Sequence, residues 1–207
     1  MAVSKQTIDR LAAYSDGIMA VVATLLVLGI AVPEDHQFSE QGLLLFLVKV
    51  RHDVGAYALS FLIITSYWIQ HHAIFLFLHH ANRTFAWLNF VFLFFVTLLP
   101  FATKLLSVYR QDYFAFLIYG LLQVACGVLL SVLWLYANGQ HRLVAVKLDA
   151  DAMRSMTIRM LLGPIINLVA VGISMVSLPV GVAMFLGVPL LNLSHRRVDS
   201  SLRQLAD

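Results

Sequence analysis

The chain has 207 residues, 60% of them hydrophobic and only 12% charged, with a formal net charge of +3. That balance excludes an ordinary soluble domain and implies a polytopic membrane protein. The one cysteine, Cys126, excludes an internal disulfide, and its apolar run makes it a small buried hydrophobe instead of a redox group.

Spanning a bilayer takes about 20 predominantly apolar residues. Six such runs give an all-α chain with expected spans at 8–32, 42–75, 83–107, 113–136, 158–177 and 179–194, forming one transmembrane domain over 1–207. Met1 to Thr7 is short and polar. The apolar run behind it exceeds a signal-peptide core and lacks a small-residue cleavage site, so the first helix is expected to remain in the mature protein.

The first span opens with Arg10, Tyr14, Ser15, Asp16 and Gly17 and is stopped by Pro33. Charge inside a membrane is costly enough to mark a functional site. A helix turns about 100° per residue, so Gly17, Val21, Thr24 and Leu28 fall on one stripe with Arg10 along it, while Ser15 and Asp16 point elsewhere. The stripe suits either a close-packed symmetric seam or a narrow pore. Ser15 and Asp16 need partners on neighbouring helices, although Asp16 also fits a buried cap acid.

Glu34, Asp35, His36 and Glu40 form an acidic connection. Beyond it, Gly42 to Val50 is apolar but interrupted by Lys49, Arg51, His52 and Asp53, as expected for the exposed start of a long second helix spanning mainly Val54 to Phe75. Pro100 predicts a kink near the far end of the third span. Asn138 and Gly139 end the fourth, and residues 138–159 are the longest polar connection. Met160 to Ser194 is too long for one span; Pro179 divides it into a hairpin returning to the side it left.

Ten Lys and Arg residues fall on the side of the termini and four on the other (Lys49, Arg51, Lys104 and Arg110). The positive-inside rule therefore places both termini in the cytoplasm. The basic residues are accounted for by that rule, no nucleic-acid partner is implied, and no basic run is dense enough to suggest specific lipid-headgroup binding.

The pairs His71-His72 and His79-His80 raise the question of haem or a di-metal centre. No second histidine-rich or carboxylate-rich segment supplies further ligands, so interfacial histidines are the simpler reading and no metal or cofactor is expected. His71 differs: with Trp68 it occupies one face of the second helix near the depth of Ser15 and Asp16, and imidazole donation to the Asp16 carboxylate is expected. Asn89 in the third helix is a further buried polar group at similar depth, and Thr97 and Asn167 read as packing polars. The sequence has no phosphate-binding glycine loop, His-Glu-x-x-His helix, nucleophile elbow or Thr-Val-Gly-Tyr-Gly filter and is not read as an enzyme.

The segment Arg10-x-x-x-Tyr14-Ser15-Asp16-Gly17, followed by Ala23-Thr24-Leu25-Leu26-Val27-Leu28, resembles the first helix of the transmembrane protein 175 family. The likeness continues through Phe61 to His71, Leu88-Asn89 and Leu99-Pro100. That family includes the endosomal and lysosomal potassium channel and its prokaryotic relatives. The resemblance implies a six-helix protomer in a prokaryotic plasma membrane, a homotetramer assembled around the first helix, and potassium conducted through an apolar constriction. By position it makes Val21 the constriction, Thr24 a hydroxyl ring and Leu28 an outer apolar ring. It makes Ser15, Asp16, Trp68, His71 and Asn89 the polar residues that hold the first helix, with Arg10 in the opening motif. Two departures stand out: Tyr14 replaces the usual phenylalanine, and Val21 is smaller than the usual isoleucine or leucine, which implies a wider constriction.

Rotation or tilt of the first helix, exchanging apolar for hydroxyl lining, would open such a pore. A histidine in the network would also offer proton sensitivity. A proton-permeable or non-selective cation channel is one alternative, and a secondary transporter another, though no internal repeat supports alternating access. A histidine-based redox enzyme and an inactive scaffold subunit complete the set.

Overall fold

In the computed structural model, residues 5–30, 40–109, 111–139, 143–144 and 150–193 are described. Pro33, the connection residues Glu34, Asp35 and His36, Arg110, part of the 138–159 connection including Arg142 and Lys147, and the basic tail from His195 lie outside them. The elements run α1 (Lys5–Leu25) with a 3-10 turn at Leu26–Gly29, α2 (Glu40–Phe77), α3 (Arg83–Thr97), α4 (Leu99–Val108), α5 (Tyr113–Asn138), α6 (Ala150–Ser174), α7 (Leu178–Phe185) and α8 (Gly187–Leu193).

Among the described residues, five stretches are long and apolar enough to cross a membrane: Lys5–Gly29, Leu44–Phe77, Arg83–Val108, Tyr113–Asn138 and Met153–Ser174. The expected sixth span is instead a broken pair, α7 and α8, with a turn at Leu186. The fifteen helical residues described there, eight in α7 and seven in α8, rise about 22 Å. The divide falls at Met175–Ser177, just before Pro179, because a proline at the first turn of α7 starts a helix more readily than it ends one. α6 also begins earlier than expected, at Ala150.

Pro100 acts as the sequence predicts. α3 and α4 form one span broken at Leu98, with Pro100 in the first turn of α4. Pro164 lies inside α6 without ending it. Its missing N–H would leave the carbonyl of Met160, one turn earlier, unpaired, and Ser131 Oγ of α5 donates to that oxygen at 2.5 Å. The close approach depends on Gly127, where a Cβ would stand 3.2 Å from the Pro164 ring.

The core is shared by α1 to α7, with Phe85, Phe92, Phe116, Tyr119, Trp134 and Phe185 fully or almost fully buried. Polar groups inside it are bonded between helices: Ser60 joins Tyr119 at 3.0 Å, Thr103 donates to Ser60 at 2.8 Å, and Tyr67 donates to Gln123 Oε1 at 2.7 Å. Ser107 donates to Asp53. At the end where α2 passes to α3, His79 N donates to Leu143 O at 2.8 Å and Leu78 bridges Val144. The α2–α3 and α5–α6 connections therefore share one end of the bundle.

Candidate functional site

Along α1 the buried residues are Ile8, Ser15, Met19 and Val22, followed by Leu26 in the 3-10 turn. Their spacing of three, four and seven is that of one helical face. The opposite face carries Arg10, Tyr14, Gly17, Val21, Thr24 and Leu28, all exposed in the protomer. Val21 is 55% exposed and Leu28 75%, values expected of surface residues although both are apolar. A Cβ on Gly17 would meet nothing within 4 Å, so this face is open along its length. Thr24 Oγ1 donates to Val21 O at 2.8 Å. Its hydrogen is thereby engaged by the helix, and only oxygen lone pairs remain for anything approaching from outside.

Two sets of side-chain bonds link the buried side of α1 to α2 and α3. Ser15 Oγ donates to Leu11 O at 2.9 Å and accepts from Asn89 Nδ2 at 2.9 Å. Asn89 Oδ1 lies 2.7 Å from His71 Nε2. Because the Asn89 amide turns its nitrogen to Ser15, its oxygen faces the imidazole, and Nε2 must carry the donated proton. All three residues are buried. Phe75 and Phe92 stack on the His71 ring at 4.5 and 5.7 Å and close it off.

Nearer the surface, Trp68 Nε1 donates to Asp16 Oδ1 at 2.8 Å. Trp68 also stacks on His72, with ring centres 5.3 Å apart. The common depth of Ser15, Asp16, Trp68, His71 and Asn89 is thus as expected, but the pairing is different. His71 bonds the Asn89 amide and not Asp16, whose partner is the indole. The reason is azimuth: Ser15 and Asp16 differ by about 100° around α1, so one reaches the three-helix interior and the other the seam with α2. Arg10 shares no hydrogen bond with this network among the described residues; it lies in a groove beside Arg83 and Trp87.

Lys104 was counted in the sequence only as a basic residue of the far side. Its Nζ donates to Gly29 O at 2.6 Å, closing the far end of α1. The signal was available in outline, since a lone lysine on an otherwise apolar helix needs a buried acceptor.

The sequence pattern of the family described as "Endosomal/lysosomal potassium channel TMEM175" matches residues 10–100, the part that holds α1, α2, α3 and both sets of bonds. A potassium channel of Streptomyces collinus is 33% identical over 178 residues, covering 84% of this chain and 85% of its own. A potassium channel of Chamaesiphon minutus is 34% identical over 184 residues, covering 86% and 91%. The chain belongs to the TMEM175 family. The fold agrees: the crystal structure of a lysosomal potassium-selective channel TMEM175 homolog from Chamaesiphon minutus superposes with a TM-score of 0.80 at 28% identity, over 91% of this chain and 97% of that one. The matched segment of this TMEM175 protein begins at Arg10 and ends at Pro100, where α4 has just begun.

Proposed function

We propose that the chain is a potassium-preferring cation channel of a prokaryotic plasma membrane, a homotetramer with α1 of each protomer around the pore and both termini cytoplasmic. The observation that carries this reading is the open face of α1, where Gly17, Val21, Thr24 and Leu28 stand exposed in line on a helix whose other face is bonded to its neighbours. Family membership supports the same reading.

Brought together around an axis, these residues make alternating rings. Val21 and Leu28 exclude water from a narrow passage, and between them Thr24 offers hydroxyl lone pairs to a cation that has shed part of its hydration shell. The bonds of Ser15 and Asp16 set the resting angle of α1, so a small rotation exchanges apolar for hydroxyl lining.

Purified protein reconstituted under opposed potassium and sodium gradients tests this directly. The expected reversal potential lies near that of potassium; Thr24→Val moves it toward zero and Val21→Ala raises conductance. A reversal near zero in the wild type would make the pore non-selective, and one following an imposed proton gradient would make it proton-permeable. Absence of current would overturn the channel reading.

A further inference from the structure

A groove of about 970 Å³ opens at the foot of α1, between that helix and the start of α3. Among the described residues its lining carries two arginines, Arg10 and Arg83, and no carboxylate. Asp9, next to Arg10 in sequence, is about 100° away around the helix and is not part of the lining. Ala81, Asn82 and Thr84 complete one lip. Asn82 caps α3 by accepting from Phe85 N at 2.9 Å, and the amides of the first turn, at Arg83 and Thr84, have no partner within the helix. The positive end of a fifteen-residue helix thus adds to the field of the two guanidinium groups.

The other wall is aromatic. Tyr14 meets Phe90 edge-on at 5.7 Å, and Trp87 meets Phe90 at 6.2 Å. Tyr14 and Trp87 are 56% and 59% exposed. Arg83 begins the Arg83–Val108 span and Arg10 lies little more than a turn inside Lys5–Gly29, so the groove sits at the membrane boundary. Tyrosine and tryptophan settle at the headgroup level of a bilayer. A charged floor with an aromatic wall at this depth matches a molecule with an anionic head and an apolar body.

We propose that this groove binds an anionic phospholipid, with the phosphodiester between Arg10 and Arg83 and the glycerol and upper acyl chain along Tyr14, Trp87 and Phe90. Guanidinium groups suit this ligand because each offers paired N–H donors to phosphate oxygens. The site lies to the α3 side of the exposed α1 stripe: Leu11 is about 100° and Tyr14 about 40° around from Arg10. A lipid there touches the foot of the exposed α1 face at Arg10 and Tyr14, below Gly17, Val21, Thr24 and Leu28, and the inference does not depend on what those four residues conduct.

Native mass spectrometry of the purified protein in mixed phosphatidylglycerol and phosphatidylcholine micelles reads which lipids stay bound. The wild type is expected to retain phosphatidylglycerol preferentially. Arg83→Gln lowers that preference about fivefold and Arg10→Gln with Arg83→Gln about 30-fold, whereas Arg51→Gln at the other end of the bundle leaves it unchanged. An unchanged preference in the arginine variants overturns the site. Displacement of the lipid by an equal concentration of glycerol phosphate also overturns it, since the ligand would then be a soluble phosphate. A double variant that alters only the number of chains per particle overturns it in favour of a contact between copies. Arg83→Gln alone, on an exposed position, keeps the test decisive if the double variant does not fold.

Discussion

Asn89 joins three helices through one amide, giving its nitrogen to Ser15 of α1 and its oxygen to His71 of α2. Asn89→Ala would orphan a fully buried imidazole N–H, whereas Ser15 keeps its bond to Leu11 O. Interhelical hydrogen bonds in membranes are worth about 0.6 kcal/mol on average and at most about 1.7, and an abandoned buried donor costs about 1–3 kcal/mol. Asn89→Ala is therefore expected to destabilise by about 1–2 kcal/mol in detergent unfolding. Trp68→Phe, at a 39% exposed position with a single bond to Asp16, should cost under about 1 kcal/mol. Equal losses would mean that the buried amide holds α1 no better than the surface indole. Depth along a helix follows from counting residues, so the company of Ser15, Asp16, Trp68, His71 and Asn89 was legible in the sequence. Which of them bond depends on the rotation of each helix about its own axis, and that is set by packing among Phe75, Phe85 and Phe92, for which the sequence has no simple reading.

α1 ends in a 3-10 turn, where the last carbonyls of a helix lack donors. Lys104 of α4 supplies one donor at Gly29 O and places a cation at the negative end of the helix. Lys104→Met keeps most of the side-chain length and removes the ammonium. With about 1 kcal/mol lost at that end, amide exchange over 26–30 should quicken about fivefold while exchange at Ser15 to Met19 stays as it was. Unchanged exchange over 26–30 would show that the lysine does not hold the end of α1. Prolines explain much of the element boundaries, but only in context. Pro100 and Pro179 open helices, and the sequence marks both breaks. Pro164 sits inside α6 unremarked, because its tolerance depends on Ser131 and Gly127 of α5, residues more than thirty positions earlier in the chain. The sixth span was legible as an apolar run but not as two short helices, since hydropathy does not register the turn at Leu186.

Exposure alone does not separate a surface that meets lipid from one that meets another copy. Phe94, Phe101, Phe114 and Val176 are as open in the protomer as Val21 and Leu28. What differs is size: between Tyr14 and Leu25 the exposed face of α1 carries only Gly17, Ala20, Val21 and Thr24, while the other open faces carry many large aromatic and aliphatic side chains. Bilayer hydrocarbon solvates large apolar groups well, so they gain little from meeting each other, whereas small residues let backbones approach closely enough to associate. The α1 face is thus the expected meeting surface. The chain lends itself to a test with little background, because its one cysteine, Cys126, is fully buried. Leu28→Cys should be joined by a short bis-maleimide into a ladder ending at four chains, and Phe94→Cys, 60% exposed on α3, should remain monomeric under the same treatment. A ladder from Phe94→Cys with none from Leu28→Cys would place the contact on α3. The stripe of Val21 and Leu28 would then face lipid, and the pore reading of α1 would fall with it.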